Sequence, residues 1–265
     1  MSITVNEFNE FIENMVPSFL KENYDNVGHL VGEGDDKITG VLASLDCSLD
    51  AIDKAVELNY NFILTHHPLI FNKSNTVVTS TLQGYKIIKL IKNNINHYAI
   101  HTNLDSISFG MNKLLVMLLG FSGEEIIEKG LFQDSGYGRI VTIIEGIKLK
   151  YLLEKVKNIG KNSIKFAGDP EKILHKIAII NGSGQDLIFK SIDLGADCII
   201  TGDTTYHHVK DAFEMGLTII DMGHYESENL PFSEFIKHLK EELSKKNIDL
   251  NFYYHEEKSV YNFYH

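Results

Sequence analysis

Cysteine is scarce in this sequence: 265 residues carry only Cys47 and Cys198. Two thiols do not make a disulfide framework, and a structural zinc site built on thiolates is excluded with it. Both are read as buried and reduced. Proline is also sparse, with four residues, and no low-complexity tract is present, which leaves little room for a disordered linker. No apolar run approaches the ~20 residues a membrane-spanning helix needs. The first residues, MSITVNEFNEFIENMV, are acidic and amphipathic, unlike a signal peptide, so a cytoplasmic protein is expected. Positive charge is also short: 25 Lys and Arg face 36 Asp and Glu, for a net charge of −11. An acidic surface repels nucleic acid and anionic membrane, so neither is an expected partner. The charge does not exclude an anionic substrate held locally by metal ions.

What remains is an ordinary globular composition, 43% hydrophobic and 23% charged, long enough for one large domain or two smaller ones. Short β-branched runs predict strands at residues 38–45, 62–65, 98–100, 140–144, 177–180, 198–201 and 218–220. Amphipathic stretches between them predict helices at 49–58, 82–92, 112–119, 150–158, 187–194, 206–215 and 232–245. Such alternation favours α/β layers, with ligands collecting beyond the carboxyl ends of strands.

The segment 41–65 (VLASLDCSLDAIDKAVELNYNFILT) lies without gaps over 177–201 (IAIINGSGQDLIFKSIDLGADCIIT). Each copy reads as strand, turn, helix, strand. Two βαβ units share one hydrophobic template, so duplication and chance resemblance both remain open. The continuations are also alike. The first copy leads to a strand followed by His101-x-x-x-Asp105, the second to a strand followed by His224-x-x-x-Glu228. The expectation is an α/β protein of two pseudo-symmetric half-domains with a metal-containing cleft between them. Residues 1–122 would carry His66/His67 and His101/Asp105, and residues 123–265 would carry His224/Glu228, with the chain free to pass back between halves.

The chemistry-bearing residues begin at Thr65-His66-His67-Pro68, at the mouth of an apolar strand. Neighbours on an extended chain point opposite ways, so both imidazoles serve one site only if two metals lie there or the backbone turns. Residues four apart on a helix share a face, so His101/Asp105 and His224/Glu228 can each converge on an ion. Each pair alone is more often a surface salt bridge or cap. Together they supply four histidines and two carboxylates, an inventory suited to two ions about 3.5–4 Å apart. Imidazole-rich coordination favours zinc, iron, manganese, cobalt or nickel over magnesium or calcium.

The motifs DNVG at 25–28, LTHHPLIF at 64–71, HTNLD at 101–105, GYGR at 136–139, NGSG at 181–184, TGD…YHH at 201–208 and GHYESE at 223–228 resemble, in order, those of the dinuclear-metal-centre family. This is the NGG-interacting-factor group, often named type 2 homologues of GTP cyclohydrolase I. The resemblance implies a two-domain α/β fold, a toroidal homo-oligomer (commonly a hexamer) and two divalent ions per chain. It implies His66, His67, Asp105, His224 and Glu228 as metal ligands, Glu228 bridging, with His101 as a further metal-site histidine. Longer relatives carry an inserted domain in mid-chain, and the short segment 120–167 implies that it is missing here. Asn181 stands where relatives often have glycine, which puts a phosphate-binding role of the NGSG turn in doubt.

Other residues carry weaker signals. The NGSG turn reads either as a phosphate cradle or as a tight turn. Asp203 is a candidate helix cap. His207, beside His208, is a candidate substrate-contacting residue. Arg139, the only arginine, is an anion contact or a structural ion pair. His29, His97, His175, His238, His255 and His265 lack matching partners and are expected to stay outside the chemistry.

Two functions follow. One is metal-assisted hydrolysis of a purine C–N bond or a phosphoester, with His101 or His207 as general acid. The other is a non-enzymatic metal-containing oligomer acting as scaffold, metal handler or regulatory partner.

Overall fold

The computed structural model describes residues 3–130, 132, 134–160 and 164–261. In chain order its strands are β1 (Gly28–Val31), β2 (Val41–Ser44), β3 (Phe62–Thr65), β4 (Asn96–Ala99), β5 (Glu125–Lys129), β6 (Gly136–Lys148), β7 (Lys165–Ala167), β8 (Ile173–Ser183), β9 (Cys198–Gly202), β10 (Thr218–Asp221) and β11 (Phe252–Tyr254). The α-helices are α1 (Val5–Met15), α2 (Leu49–Leu58), α3 (Leu82–Lys92), α4 (Thr102–Ser106), α5 (Met111–Leu118), α6 (Leu149–Gly160), α7 (Ile188–Asp193), α8 (Tyr206–Glu214) and α9 (His224–Lys245). Among the described residues, no helix is long and apolar enough to cross a membrane.

The chain divides into two compact units. The first comprises Met1–Leu104 and Phe235–Glu257, the second Asp105–Glu234 and Lys258–His265. The chain passes between them inside α4, inside α9 and again after Glu257. The physical reason is packing. Leu115, Val116 and Leu119, at the end of α5, belong to the core that contains Ile177, Ile179 and Ile200. Conversely, β11 pairs in parallel with β2.

In the first unit the sheet order is β1-β4-β3-β2-β11. The parallel trio β2, β3 and β4 is buried at every residue, as expected for parallel strands covered on both faces. Helix α2 forms the first crossover; Ser48 caps it by accepting from the Ala51 amide, and Asn59 ends it in the left-handed conformation. Its buried face, Ala51, Ile52 and Ala55, packs into a core with Leu42, Ile63, Ile87 and Leu90.

In the second unit the order is β5-β6-β8-β9-β10-β7, with β8, β9 and β10 parallel. The internal repeat is visible as ladder register. Val41 pairs with Phe62 in one copy, and Ile177 pairs with Cys198 at the equivalent positions of the other. In each unit the third parallel strand then joins on the far side of the second.

The predicted helices at 49–58 and 82–92 and the predicted strand at 62–65 agree with the structure to the residue. Strands β1, β5, β7 and β11 were not anticipated, and all four are sheet edges. Edge strands are only partly covered, so they lack the apolar runs that announce β3 or β9. The last helix starts at His224 rather than near 232 because it runs through Pro231. A proline normally marks a helix stop; here it forfeits one amide bond without ending the helix.

Candidate metal centre

The first unit's donors lie just beyond the carboxyl ends of β3 and β4. The ladder continues briefly past β3, with the His66 and His67 amides bonded to the carbonyls of Ser44 and Leu45. The chain then bends at residues 66 and 67. That bend answers the problem posed by two adjacent residues, because it brings the two ring centroids within 5.0 Å. His101, two residues past β4, stands 5.2 Å from His66 and 5.5 Å from His67 by the same measure. A nitrogen from each ring can be chosen so that all lie within 4.8 Å of one another, close enough to hold an ion.

The other nitrogen of each ring is occupied. His66 Nδ1 lies 2.9 Å from the Ile100 carbonyl, His67 Nδ1 lies 3.1 Å from Asp46 Oδ1, and His101 Nδ1 lies 2.9 Å from Asp25 Oδ1. Carbonyl and carboxylate oxygens only accept, so each Nδ1 carries the proton and each Nε2 presents a lone pair. This is how metal-binding histidines are commonly oriented. Asp25 is buried. It also accepts from the Thr102 hydroxyl at 2.5 Å and the Thr102 amide at 3.1 Å. Burial alone would raise its pKa; the bonds from His101 and Thr102 outweigh burial and hold the carboxyl well below the usual range.

In the second unit His224 opens α9 and Glu228 follows one turn later, with His224 Nε2 and Glu228 Oε2 3.1 Å apart. The expected sharing of a helix face is therefore observed. His224 Nδ1 is held by Asp203 Oδ2 at 2.8 Å. Asp105, on α4, is tied to Glu228 through Asn181, whose Nδ2 donates to Asp105 Oδ1 at 2.8 Å and to Glu228 Oε1 at 3.2 Å. Asn112 steadies that bridge from behind, accepting from the Asn181 amide and donating to the Asp105 carbonyl.

The NGSG turn is not arranged as a phosphate cradle. The Gly182 amide donates to Ser227 Oγ at 2.8 Å and the Gly184 amide to Thr201 Oγ1 at 2.8 Å. Gly182 has φ +58, and a Cβ there would collide with Glu228 Oε1, so this turn admits the carboxylate by lacking a side chain. Arg139 is structural: its buried guanidinium donates to the carbonyls of Gly136, Gly138 and Ile107.

Asp203 does not cap α8, whose N-cap is Thr205; it adopts φ +51 and orients His224. His207 is exposed on the first turn of α8. His208 is bonded through Nδ1 to Thr205 Oγ1. Of the remaining histidines, His29 bonds Asn96, His175 bonds the Ile143 carbonyl, and His97 bonds Thr65 beneath the first-unit donors. His265 lies outside the described residues. Sequence reasoning missed Asp46 altogether. It saw Asp25 only as a motif letter, Asp203 only as a cap and Asn181 only as a departure.

Imidazole and carboxylate donors set beyond the ends of parallel strands, with oxygen partners fixing the rings, define an α/β protein suited to binding metal ions. More narrowly, the chain belongs to the Duf34/NIF3 (NGG1p interacting factor 3) family, whose profile matches residues 3–259. It is 44% identical over 231 residues to a Clostridium acetobutylicum protein named GTP cyclohydrolase 1 type 2 homolog, covering 86% of each. A Staphylococcus aureus protein of the same name is 27% identical over 319 aligned positions, covering 81% of this chain and 87% of the relative. That alignment is longer than this chain, so the relative carries inserted residues. Among solved structures, a Staphylococcus aureus hypothetical protein superposes with TM-score 0.91 at 27% identity over 100% of both chains. Reduced HcgD from Methanocaldococcus jannaschii superposes with TM-score 0.78 at 30% identity over 96% of this chain and 98% of that one.

Proposed function

We propose that this chain is a metal-dependent hydrolase of nucleotides or related phosphoesters that works as a homo-oligomer, a toroidal hexamer. Two divalent ions per chain, of zinc, iron, manganese, cobalt or nickel, would be held by His66, His67, His101, Asp105, His224 and Glu228. The observation that carries this reading is the common state of three histidines: Nδ1 of His66, His67 and His101 is engaged by oxygen, which directs Nε2 to a ligand, while His224 is held at Nδ1 by Asp203 with its Nε2 toward Glu228. The donors fit such ions by chemistry, with nitrogen-rich imidazoles in one unit and two carboxylates linked by Asn181 in the other. The segment from His101 to Asp105 ties the two sets together along the chain. The relatives named for GTP cyclohydrolase supply the nucleotide.

Bound divalent ions supply Lewis-acid polarisation and lower the pKa of a water from 15.7 toward ~7. The chain's own residues do the rest. Asp25, Asp46 and Asp203 keep the imidazoles in one tautomer. Asn181 keeps Asp105 and Glu228 in place. His207, exposed on the first turn of α8, is the proposed proton donor to the leaving group; His101, whose Nδ1 proton goes to Asp25, does not serve as one while its Nε2 holds an ion.

Metal analysis of protein purified without added ions should return close to two equivalents per chain. Incubation with GTP and a panel of phosphoesters should give product that stops on metal removal. Glu228→Gln should lose turnover together with one metal equivalent. Turnover by metal-depleted protein would overturn the scheme, and tight metal binding without any turnover would favour the scaffold. Light scattering tests the hexamer.

A further inference from the structure

Two exposed aromatic rings stand beside His101 in the first unit. Phe71 and Tyr24 are 44% and 68% exposed. Their ring centroids are 6.3 Å apart with planes at 70°, and Phe71 is 6.1 Å from the His101 ring. Single exposed aromatics are common and need no explanation. This pair differs because both rings sit on anchored backbone next to a proposed donor. The carbonyls before Phe71 are pinned, Leu69 by Gln83 Nε2 at 3.0 Å and Ile70 by Asn26 Nδ2 at 2.5 Å. Tyr24 directly precedes Asp25, which grips His101.

We propose that Phe71 and Tyr24 form a binding corner for the flat heteroaromatic ring of the substrate. This inference rests on the hydrolase reading and narrows its substrate class to nucleosides and nucleotides over simple phosphoesters. Two rings meeting near a right angle suit a third flat ring, which stacks on one wall and meets the other edge-on, both favoured geometries. Stacking tolerates any base because every base presents a π-face. The short separation of Phe71 from His101 leaves the sugar or phosphate side of such a ligand directed at the imidazoles. Anchoring the loop beforehand lowers the ordering cost of binding.

The test compares equilibrium binding of guanosine monophosphate and ribose 5-phosphate to the purified full chain, by calorimetry. The two probes differ by the base, so their affinity ratio isolates the corner. The wild type should prefer the nucleotide by roughly five- to a hundredfold, the range for stacking one base. Phe71→Leu and, separately, Tyr24→Leu should bring the ratio to within about threefold of unity. Phe71→Tyr should retain the preference, and Phe213→Leu, at an exposed ring in the second unit, should leave it unchanged. Circular dichroism of each variant checks folding, and either single variant suffices if the other misfolds. Equal affinity for both probes in the wild type, or an unaltered ratio in both leucine variants, overturns the proposal. So does a change of oligomeric state in Phe71→Leu with the ratio intact, which would assign the rings to an interface between copies. The hydrolase reading fails separately: a base preference lost in Phe71→Leu with no turnover of any substrate keeps the corner and rejects the catalysis.

Discussion

Asp25 Oδ1 and His101 Nδ1 meet at 2.9 Å although 76 positions separate them in the chain. The same carboxylate takes the hydroxyl and amide of Thr102, so one buried side chain orients the ring and fixes the start of α4. Asp25→Ala should therefore weaken binding of the first divalent ion by about 10- to 100-fold, the usual effect of removing an orienting partner. Calorimetric titration of the metal-free variant measures it. Wild-type affinity in a folded variant would mean that His101 needs no such anchor.

Asn181 tests the same idea with opposite charge. Its amide separates two carboxylates, and Asn181→Asp would place a third acid against Asp105 and Glu228 while deleting both donated bonds. The metal-free variant should lose about 1–3 kcal/mol of stability. Thermal melts in chelator should show a lower midpoint, and added divalent ions should recover more of it than they add to the wild type.

Gly182→Ala probes a steric demand. The backbone there has φ +58, and the new methyl would press on Glu228 Oε1. Strain of this kind costs of order 1–3 kcal/mol, and displaced Glu228 should surrender one metal equivalent. Mass spectrometry under non-denaturing conditions reads the stoichiometry directly.

His97 sets an acid limit on stability. Burial, with help from the nearby charges of His29 and Lys86, lowers its pKa from 6.5 to about 3. Above pH 6.5 both folded and unfolded chains hold it neutral, and it contributes no pH dependence. Between pH 6.5 and about 3 only the unfolded chain takes the proton, so stability falls with decreasing pH by at most about 1.4 kcal/mol per unit. Urea denaturation at pH 7, 5 and 4 should show a shallower decline for His97→Gln, which keeps a donor for Thr65.

The thiols should be inert. Burial pushes the Cys47 thiol up to about 12 and raises that of Cys198 as well, so neither supplies a thiolate at neutral pH. A thiol reagent should label them only at the rate of unfolding, with no difference between metal-loaded and metal-free protein under native conditions. Rapid labelling of folded protein would contradict their placement.

Much of this was legible in the residues themselves. The run Phe62–Leu64 is apolar throughout, and its leading through Thr65 into His66 and His67 announced both a buried strand and polar groups at its mouth. The spacing of His224 and Glu228 announced a shared helix face. These signals are local: a strand covered on both sides must be apolar along its length, and a helix repeats every turn. The edge strands escaped because partial burial imposes no such pattern, and Pro231 concealed the first turns of α9.

Tertiary structure alone decided which oxygen serves which imidazole. Asp46 reaches His67, Asp203 reaches His224, and Asn181 joins Asp105 to Glu228 across dozens of intervening residues. Such partners are chosen by proximity in space, and an isolated acid or amide in a loop carries no periodic mark of its future neighbour. The candidate donors were thus written in the sequence, whereas the partners that orient their rings were set by the fold.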